Sequence, residues 1–401
     1  MRKFKFIVCS VAAVLVLTGC KTTPKGSSAE PEPTPELPAG ELPEGGTLVD
    51  IKTAEGKQTV YNEVIALIDA YTAPETEFTA IGLKSETKNV NVDAKAKIEA
   101  VDEEITVVDA EAHIKDFGLT LEAKVAGDDE AWGAEANLDI NGEISAKGTV
   151  LIEENKKLKL DDKLNFDHVG ADAWLTNGNV YVNADGQGLR DLLEQAKPIV
   201  AKILPYISEG VPVGTTIDLN AIVDAMCGEE RHFYIPLDLD TEKINPIALI
   251  NAIQIDEEDK PTAEQWAEVA GYLEQIPFIS FQTYADGRFG VALDVSLEGF
   301  LDFAEQMELD IDEEIFDMIP EANVKVAVLL RANGLLDSIS IAANAKVDVA
   351  MEEDGLLYDI EGSASLEEVL TATYNEEVSV NIPSAEVLAT YEEFNPDVLG
   401  D

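Results

Sequence analysis

The residues able to do chemistry are few in kind. Three histidines, His113, His168 and His232, stand apart, and none lies three or four positions from a second ligand on a helical stretch, the spacing of helical metal and catalytic pairs. Each reads as an ordinary polar side chain. Ser85-Glu-Thr-Lys88 has the spacing Ser-x-x-Lys of an activated serine, but the partner motifs of that chemistry are missing. His-Glu-x-x-His, Gly-x-Ser-x-Gly, a Walker loop and Gly-x-Gly-x-x-Gly are also missing. Cys227, in Asp224-Ala-Met-Cys227-Gly228, falls at a helix end and reads as a small buried hydrophobe. The nearest histidine in sequence, His232, lies beyond an acidic pair.

Carboxylates are the opposite case: there are too many to read as pairs. Asp and Glu number 79 against 28 Lys and Arg, a net charge of −51 over 401 residues. Asp128-Asp-Glu130, Asp256-Glu-Glu-Asp259, Asp310-Ile-Asp-Glu-Glu314 and Glu352-Glu-Asp354 are dense acidic clusters. Hard cations take several carboxylate oxygens, so weak calcium binding is one reading. Asp238-Leu-Asp-Thr-Glu242 fails the specific test, because it lacks the loop glycine and has Leu249 where a bidentate Glu belongs. Solvated turns that keep the chain soluble explain the clusters better, and no metal site or cofactor is expected. A glycosidase dyad could sit among so many acids. Carbohydrate sites present aromatics, however, and these are 6% of the chain, with Trp132, Trp174 and Trp266 the only tryptophans. The sequence therefore reads as a non-enzyme. The same charge excludes nucleic acid as a partner, since that binding runs on Lys and Arg contacts to phosphate. It also repels anionic membrane surfaces.

The first twenty residues are an address. Met1-Arg-Lys-Phe-Lys5 is basic, and Phe6–Leu17 is an apolar run of twelve residues. As a helix that run spans about 18 Å, too short for a bilayer core, so residues 1–19 read as a cleaved signal peptide. The run closes on Leu17-Thr18-Gly19-Cys20, which resembles the lipobox of bacterial lipoproteins. The resemblance implies cleavage after Gly19, acylation of Cys20 by chains such as palmitate, and anchoring on the extracytoplasmic face of the cell membrane. Two or more acyl chains anchor stably where one is marginal. With Cys9 lost in the signal, Cys227 has no intramolecular disulfide partner.

Residues 20–46 read as the lipidated cysteine and a tether. Lys21–Gly46 holds six Pro and four Gly with Ser, Thr and Glu, a composition that favours extended chain. At about 3.1 Å per residue it reaches roughly 80 Å at most.

The whole chain is 46% apolar, enough for its body, residues 47–401, to bury a core. Period-two alternation recurs: Val90 to Ala100, Phe117 to Val125, Trp132 to Ile140, Ile144 to Ile152, Val324 to Leu330 and Ile339 to Val349. Clean alternation puts one face in the core and one in water, the habit of antiparallel sheets. Asn141-Gly142, Asn177-Gly178, Asp286-Gly287 and Asn333-Gly334 separate strand-like runs and predict hairpins. Helices are predicted around Val60–Tyr71 and over Leu189–Leu204, the latter kinked or ended by Pro198. Others are Thr215–Cys227, a helix behind the Thr262-Ala-Glu-Gln265 capping box, Leu297–Met307 behind Ser296, and a short one at Ser365-Leu-Glu-Glu368. An echo runs between Asn177-Gly-Asn-Val-Tyr-Val182 with Leu189-Arg-Asp-Leu-Leu, and Asp286-Gly-Arg-Phe-Gly-Val291 with Leu297-Glu-Gly-Phe-Leu. It suggests two similar halves meeting near 206–276, by duplication or by coincidence.

The expected fold is α+β: a large curved antiparallel sheet with helices on its concave face. The lipobox, the early helix, the long meander and the run Trp174 to Val182 leading into a helix resemble envelope lipoproteins with a LolA/LolB-like fold. In that family an incomplete barrel is plugged by helices, with an apolar cavity between. The resemblance implies a membrane-anchored carrier or binding module for a lipid or other apolar ligand. The many Ala on the apolar strand faces agree, because small side chains leave room. The alternative is a surface structural or protein-interaction lipoprotein without a small ligand.

Overall fold

The computed structural model describes residues 38–72, 77–100, 105–128, 132–153, 156–176, 178–184, 186–207, 231–237, 245–253, 255, 260–307, 318–353 and 355–394. In chain order the elements are β1 (Thr47–Val49), α1 (Ala54–Thr72), β2 (Ala80–Ala100), β3 (Ile105–Gly127), β4 (Trp132–Glu153), β5 (Lys156–Thr176) and β6 (Asn179–Ala184). Then come α2 (Gly186–Ile207), β7 (Arg231–Pro236), α3 (Pro246–Asn251), α4 (Ala263–Leu273), β8 (Ile279–Thr283), β9 (Phe289–Ser296) and α5 (Leu297–Gln306). The chain continues through β10 (Glu321–Leu330), β11 (Leu336–Glu353), β12 (Leu356–Tyr374), α6 (Ala385–Leu388) and β13 (Glu392–Glu393).

Among the described residues the strands form one sheet of 13, in the order β1-β8-β9-β10-β11-β12-β2-β3-β4-β5-β6-β7-β13. It is open, with β1 and β13 at its ends. Every pairing is antiparallel except β13 with β7. Two meanders, β2 to β7 and β8 to β12, join where β12 pairs β2 from Leu356↔Ala100 to Tyr374↔Ile81. The two echoing segments, β5–β6–α2 and β8–β9–α5, therefore lie toward opposite ends of a shared sheet.

The sustained alternation gives β2 to β5 their length of 21 to 23 residues, about 70 Å at 3.3 Å per residue. The core occupies only part of that length. Val60 of α1, Trp266 and Ala270 of α4, and Phe281, Phe289 and Leu330 of the sheet pack together. Phe78, Leu335, Ala372 and Tyr374 pack beside them with Ala70 of α1. Thr262 and Gln265 cap α4 reciprocally, and Ser296 caps α5 through Gly299 N. Each such cap is worth about 1 kcal/mol.

Helices and terminal segments divide the two faces. α1 and α4 sit on the apolar face over β8, β9 and β10. α2 lies on the same face over β5, where Lys202 Nζ meets Asp162 Oδ1 at 2.5 Å. The other face carries the ends of the chain. Residues 38–46, assigned by composition to the tether, lie against it: Gly40 N donates to Ser340 Oγ, and Tyr284 Oη donates to Pro43 O. Residues 378–394 cross the same face at β4 to β7.

Two local expectations are corrected, at Asn141-Gly142 and at Ser365-Leu-Glu-Glu368, and of the two outcomes expected at Pro198 the structure excludes one. Asn141-Gly142 makes no hairpin: β4 runs through it, with a register shift between Ile140 and Gly142. Gly142 holds φ +134°, and a Cβ there would stand 2.5 Å from Phe117 Cα, so glycine serves a bulge and a close backbone approach. Pro198 does not end its helix, which continues to Ile207. Gln195 Oε1 accepts from Asn165 N on one side of the proline, and Lys202 pairs with Asp162 on the other. Those contacts with β5 offset the roughly 3 kcal/mol of an interior proline. Ser365-Leu-Glu-Glu368 starts no helix, because β12 is paired on both sides there, Ser365 with Asn344 and with Asn91. The expected helix Thr215–Cys227 lies outside the described residues.

Candidate functional site

The residues singled out by chemistry do not converge. His113, on β3, holds Asp93 Oδ1 at 2.5 Å; His168, on β5, holds Asp139 Oδ2 at 2.8 Å; the His232 ring, on β7, lies tilted 5.0 Å from that of Tyr391. Ser85 Oγ donates to Glu368 Oε1 at 3.0 Å, and Lys88 turns to Glu86 at 3.8 Å, so serine and lysine do not meet. Trp266 donates its Nε1 to Lys57 O and Trp174 is buried, so both serve packing. Cys20, Cys227, the 238–242 segment and most of the acidic clusters lie outside the described residues. Among the described residues, no group of three His, Cys, Asp or Glu could hold a metal ion.

What the strands do build is a two-faced platform beyond the core. On the apolar face the register places Gly362, Ala94, Ala112 and Ala146 in one row across β12, β2, β3 and β4. The next row is Ile360, Ala96, Ala110 and Gly148. On β2, β3 and β4 these two rows are all Ala and Gly, with Ile360 on β12 and Leu160 on β5 at the ends of the second; the floor ends at α2, whose Lys202 reaches Asp162, the fifth member of the first row. On the opposite side β11 contributes Val347, Val349 and Met351. The floor is open rather than roofed: Ala112 and Ala364 are exposed, and Val347 and Met351 keep 38% and 41% of their surface in water. Sheet faces of this kind normally hide under a second layer, and contiguous exposed apolar surface marks a binding face.

The opposite face is a lattice of charge. One row runs Glu361, Lys95, Glu111, Lys147, Asp161, and the next Asp359, Lys97, Asp109, Thr149, Lys159. A concavity of about 620 Å³ opens here, on the charged face. Four ammoniums face five carboxylates in it, so its charge nearly cancels. Opposite charges directly across strands contribute roughly 0.2–1 kcal/mol per pair, and like charges subtract. The sign alternates from strand to strand, Glu361 and Asp359 on β12, Lys95 and Lys97 on β2, Glu111 and Asp109 on β3, so the lattice favours these strands as neighbours. The hydrogen bond from Lys97 to Glu99, with the charges of Glu99, Asp109 and Asp359, holds the Lys97 ammonium above its ordinary value. No alternation count along a single strand reveals this pattern, because it exists only across strands.

No protein-family model matches the chain, and no curated protein matches it. Among solved structures it is similar, at 8% identity, to the outer membrane protease OmpT from Escherichia coli, over 75% of this chain and 99% of that one, with a TM-score of 0.15. A Pseudomonas aeruginosa FadL homologue matches at 8% identity over 74% of this chain and 90% of that one, TM-score 0.14. Acinetobacter baumannii OccAB4 matches at 9% identity over 70% and 57%, TM-score 0.09. At these TM-scores the likenesses carry no argument about architecture or activity.

Proposed function

We propose that the protein is an extracytoplasmic lipoprotein, held at the membrane by acyl chains on Cys20, whose body is a non-catalytic binding or carrier module for an amphiphile. The observation that carries the reading is the open floor of Ala and Gly on the apolar face, bounded by α2 and by the larger residues of β11. Small side chains let an acyl chain lie close to the backbone over several strands, and chain burial contributes about 0.8 kcal/mol per CH₂. The Asp162–Lys202 pair at one end supplies polar groups for a headgroup. A membrane anchor keeps lipid within reach. The open sheet with helices on its apolar face supports a LolA/LolB-like identity, although the floor is exposed where that family encloses a cavity. In a second reading, favoured by the same exposure, the face takes a protein partner and the chain is a surface interaction lipoprotein.

Two experiments test this. Replacing Cys20 with Ser is expected to abolish labelling by radioactive palmitate and to release the chain from the membrane fraction; retained label would refute the anchor. Native mass spectrometry of residues 21–401 made in a lipid-rich host is expected to show adducts of several hundred daltons that organic extraction removes and that Ala96→Phe with Ala112→Phe prevents. A bare mass with no uptake of added lipid would sink the carrier reading and leave the protein-partner one.

A further inference from the structure

The face opposite the apolar floor carries a second built arrangement, at the other end of the strands. Two rows cross it there: Lys124, Glu135, Trp174, Tyr181, Tyr234, and Glu122, Asn137, Asp172, Asn183, His232. The C-terminal segment lies over both. Asn381 N donates to Glu135 Oε2 at 2.9 Å. Leu388 and Tyr391 pack on Trp174, and the Tyr391 ring meets Tyr181 edge-on at 5.5 Å. Glu392 and Glu393 pair in parallel with Phe233 and Tyr234, and Phe394 N donates to Tyr234 O. Beneath this cover Glu135 and Asn137 are buried, at 9% and 4% exposure.

A two-residue parallel ladder and one main-chain hydrogen bond are slender fastenings. They close over two carboxyl groups on neighbouring strands, where two negative charges in a desolvated place repel each other. We propose that Val378–Phe394 is a strap whose seating is controlled by the Asp172 carboxyl, which lies beside Glu135 on the covered face: it is held when Asp172 is neutral and loosened when Asp172 ionises.

The surroundings give the direction. Burial, and then the charge of Glu135, push the Asp172 carboxyl up to about 6, against the hydrogen bond it accepts from Asn183 Nδ2 at 3.3 Å. Burial, then the Asp172 charge, raise the Tyr391 phenol on the strap itself. The remaining titratable or charged neighbours are Glu122 with Lys124, paired at 2.9 Å on β3, His232 and Tyr234 on β7, Tyr181 on β6, and Glu393 of the strap, which accepts from Tyr234 Oη at 3.3 Å. A raised carboxyl favours the seated state fully below its free value near 4, and that contribution is lost as pH rises through about 6. A return of Asp172 all the way to the ordinary 3.8 on opening would weaken seating about tenfold between pH 5 and pH 8; this is an upper bound, because Glu135 stays on the neighbouring strand when the strap lifts.

The test is hydrogen exchange by mass spectrometry on the full chain in detergent, corrected for intrinsic rates. Peptides covering Asn381 and Glu392–Phe394 are expected to exchange faster at pH 8 than at pH 5, by up to about tenfold, with β10 and β11 unchanged. Asp172→Asn keeps the acceptor for Asn183 and cannot ionise, so its strap is expected to exchange equally at both pH values. Glu135→Gln serves if that variant fails to fold, and should narrow the pH response. His232→Asn should leave the response intact. Equal protection at pH 5 and 8 in the unsubstituted chain, an unaltered response in both carboxyl variants, or its loss in His232→Asn would each overturn the proposal.

Discussion

Gly334 offers the sharpest test of how the sheet holds its helices. It turns the chain between β10 and β11 at φ +81°, and a Cβ there would stand 2.3 Å from Ala66 O and 2.6 Å from Ala66 C, in the backbone of α1. Gly355, between β11 and β12, has nearly the same φ, +76°, with nothing within 4 Å. Replacing either by Ala forces a left-handed residue, at about 1–2 kcal/mol, and stiffens the unfolded chain equally. Only Gly334→Ala adds a collision with main chain, which cannot rotate away as a side chain would. Overpacking of that kind costs about 1–3 kcal/mol. Gly334→Ala is thus expected to destabilise by about 1–3 kcal/mol more than Gly355→Ala. Urea unfolding followed by tryptophan fluorescence measures it, with Trp266, whose ring lies tilted 5.9 Å from that of Tyr61 of α1, as a reporter; the midpoint shift multiplied by the slope gives the difference. Two variants equal to within about 0.5 kcal/mol would refute the docking of this turn on α1.

Two further substitutions probe polar groups that join elements. Arg331 donates to both oxygens of Glu377 at 3.0 Å and to Ala372 O at 2.7 Å, and lies 5.2 Å over the Tyr374 ring. Arg331→Lys loses the planar fork and should cost about 1–3 kcal/mol in a urea melt, whereas a loss near zero would mean that the ring and the fork contribute nothing. Lys202→Met leaves Asp162, whose side chain is 13% exposed, without its cation on an apolar face. A loss of about 2–4 kcal/mol is expected, most of it restored when Asp162→Asn is added. A double variant as unstable as the single one would show that α2 is not held through this pair.

The alternation that predicted the sheet was legible because period two survives over long stretches: Val90 to Ala100 and Ile339 to Val349 are single strands as read. The error at Asn141-Gly142 was also legible, on a closer count of phase. A two-residue hairpin puts the residues before and after the turn, here 140 and 143, on one face. The apolar set instead continues on even numbers, Ile140, Ile144, Ala146, which only an uninterrupted strand keeps together. At Asn177-Gly178 the phase does reverse, and Thr176 pairs Asn179 across a true turn. Ser365-Leu-Glu-Glu368 failed for another reason. Its local preference for a helix start was real, but β12 had neighbours waiting on both sides, and pairing with distant strands outweighs a cap. The charged lattice and the strap were out of reach, because Lys95 beside Glu111 and Glu361, or Asn381 over Glu135, are relations across tens to hundreds of residues that no local window contains.

The partition of the two faces follows from the length of the strands. A strand of about 70 Å outruns the helices available to cover it, since α1 has 19 residues, α2 has 22 and α4 has 11, about 28, 33 and 17 Å at 1.5 Å per residue. The sheet must therefore leave part of each face in water. On the charged side that is inexpensive, because opposite charges across the strands satisfy one another while staying hydrated. On the other side the chain places alanine and glycine in two adjacent rows of β2, β3 and β4, flanked by larger residues, Val92, Ile114 and Ile144 in one neighbouring row and Ile98, Val108 and Val150 in the other, with Val347, Val349 and Met351 of β11 beyond. Small residues limit the penalty of an empty face and, for the same reason, leave depth for something to lie there. Filling the floor with Phe at Ala96 and Ala112 then separates the two roles. If the face is only a tolerated gap, bulk added there leaves lipid uptake and partner binding untouched; if it is a seat, both variants lose the occupant while the distant core around Trp266 stays intact.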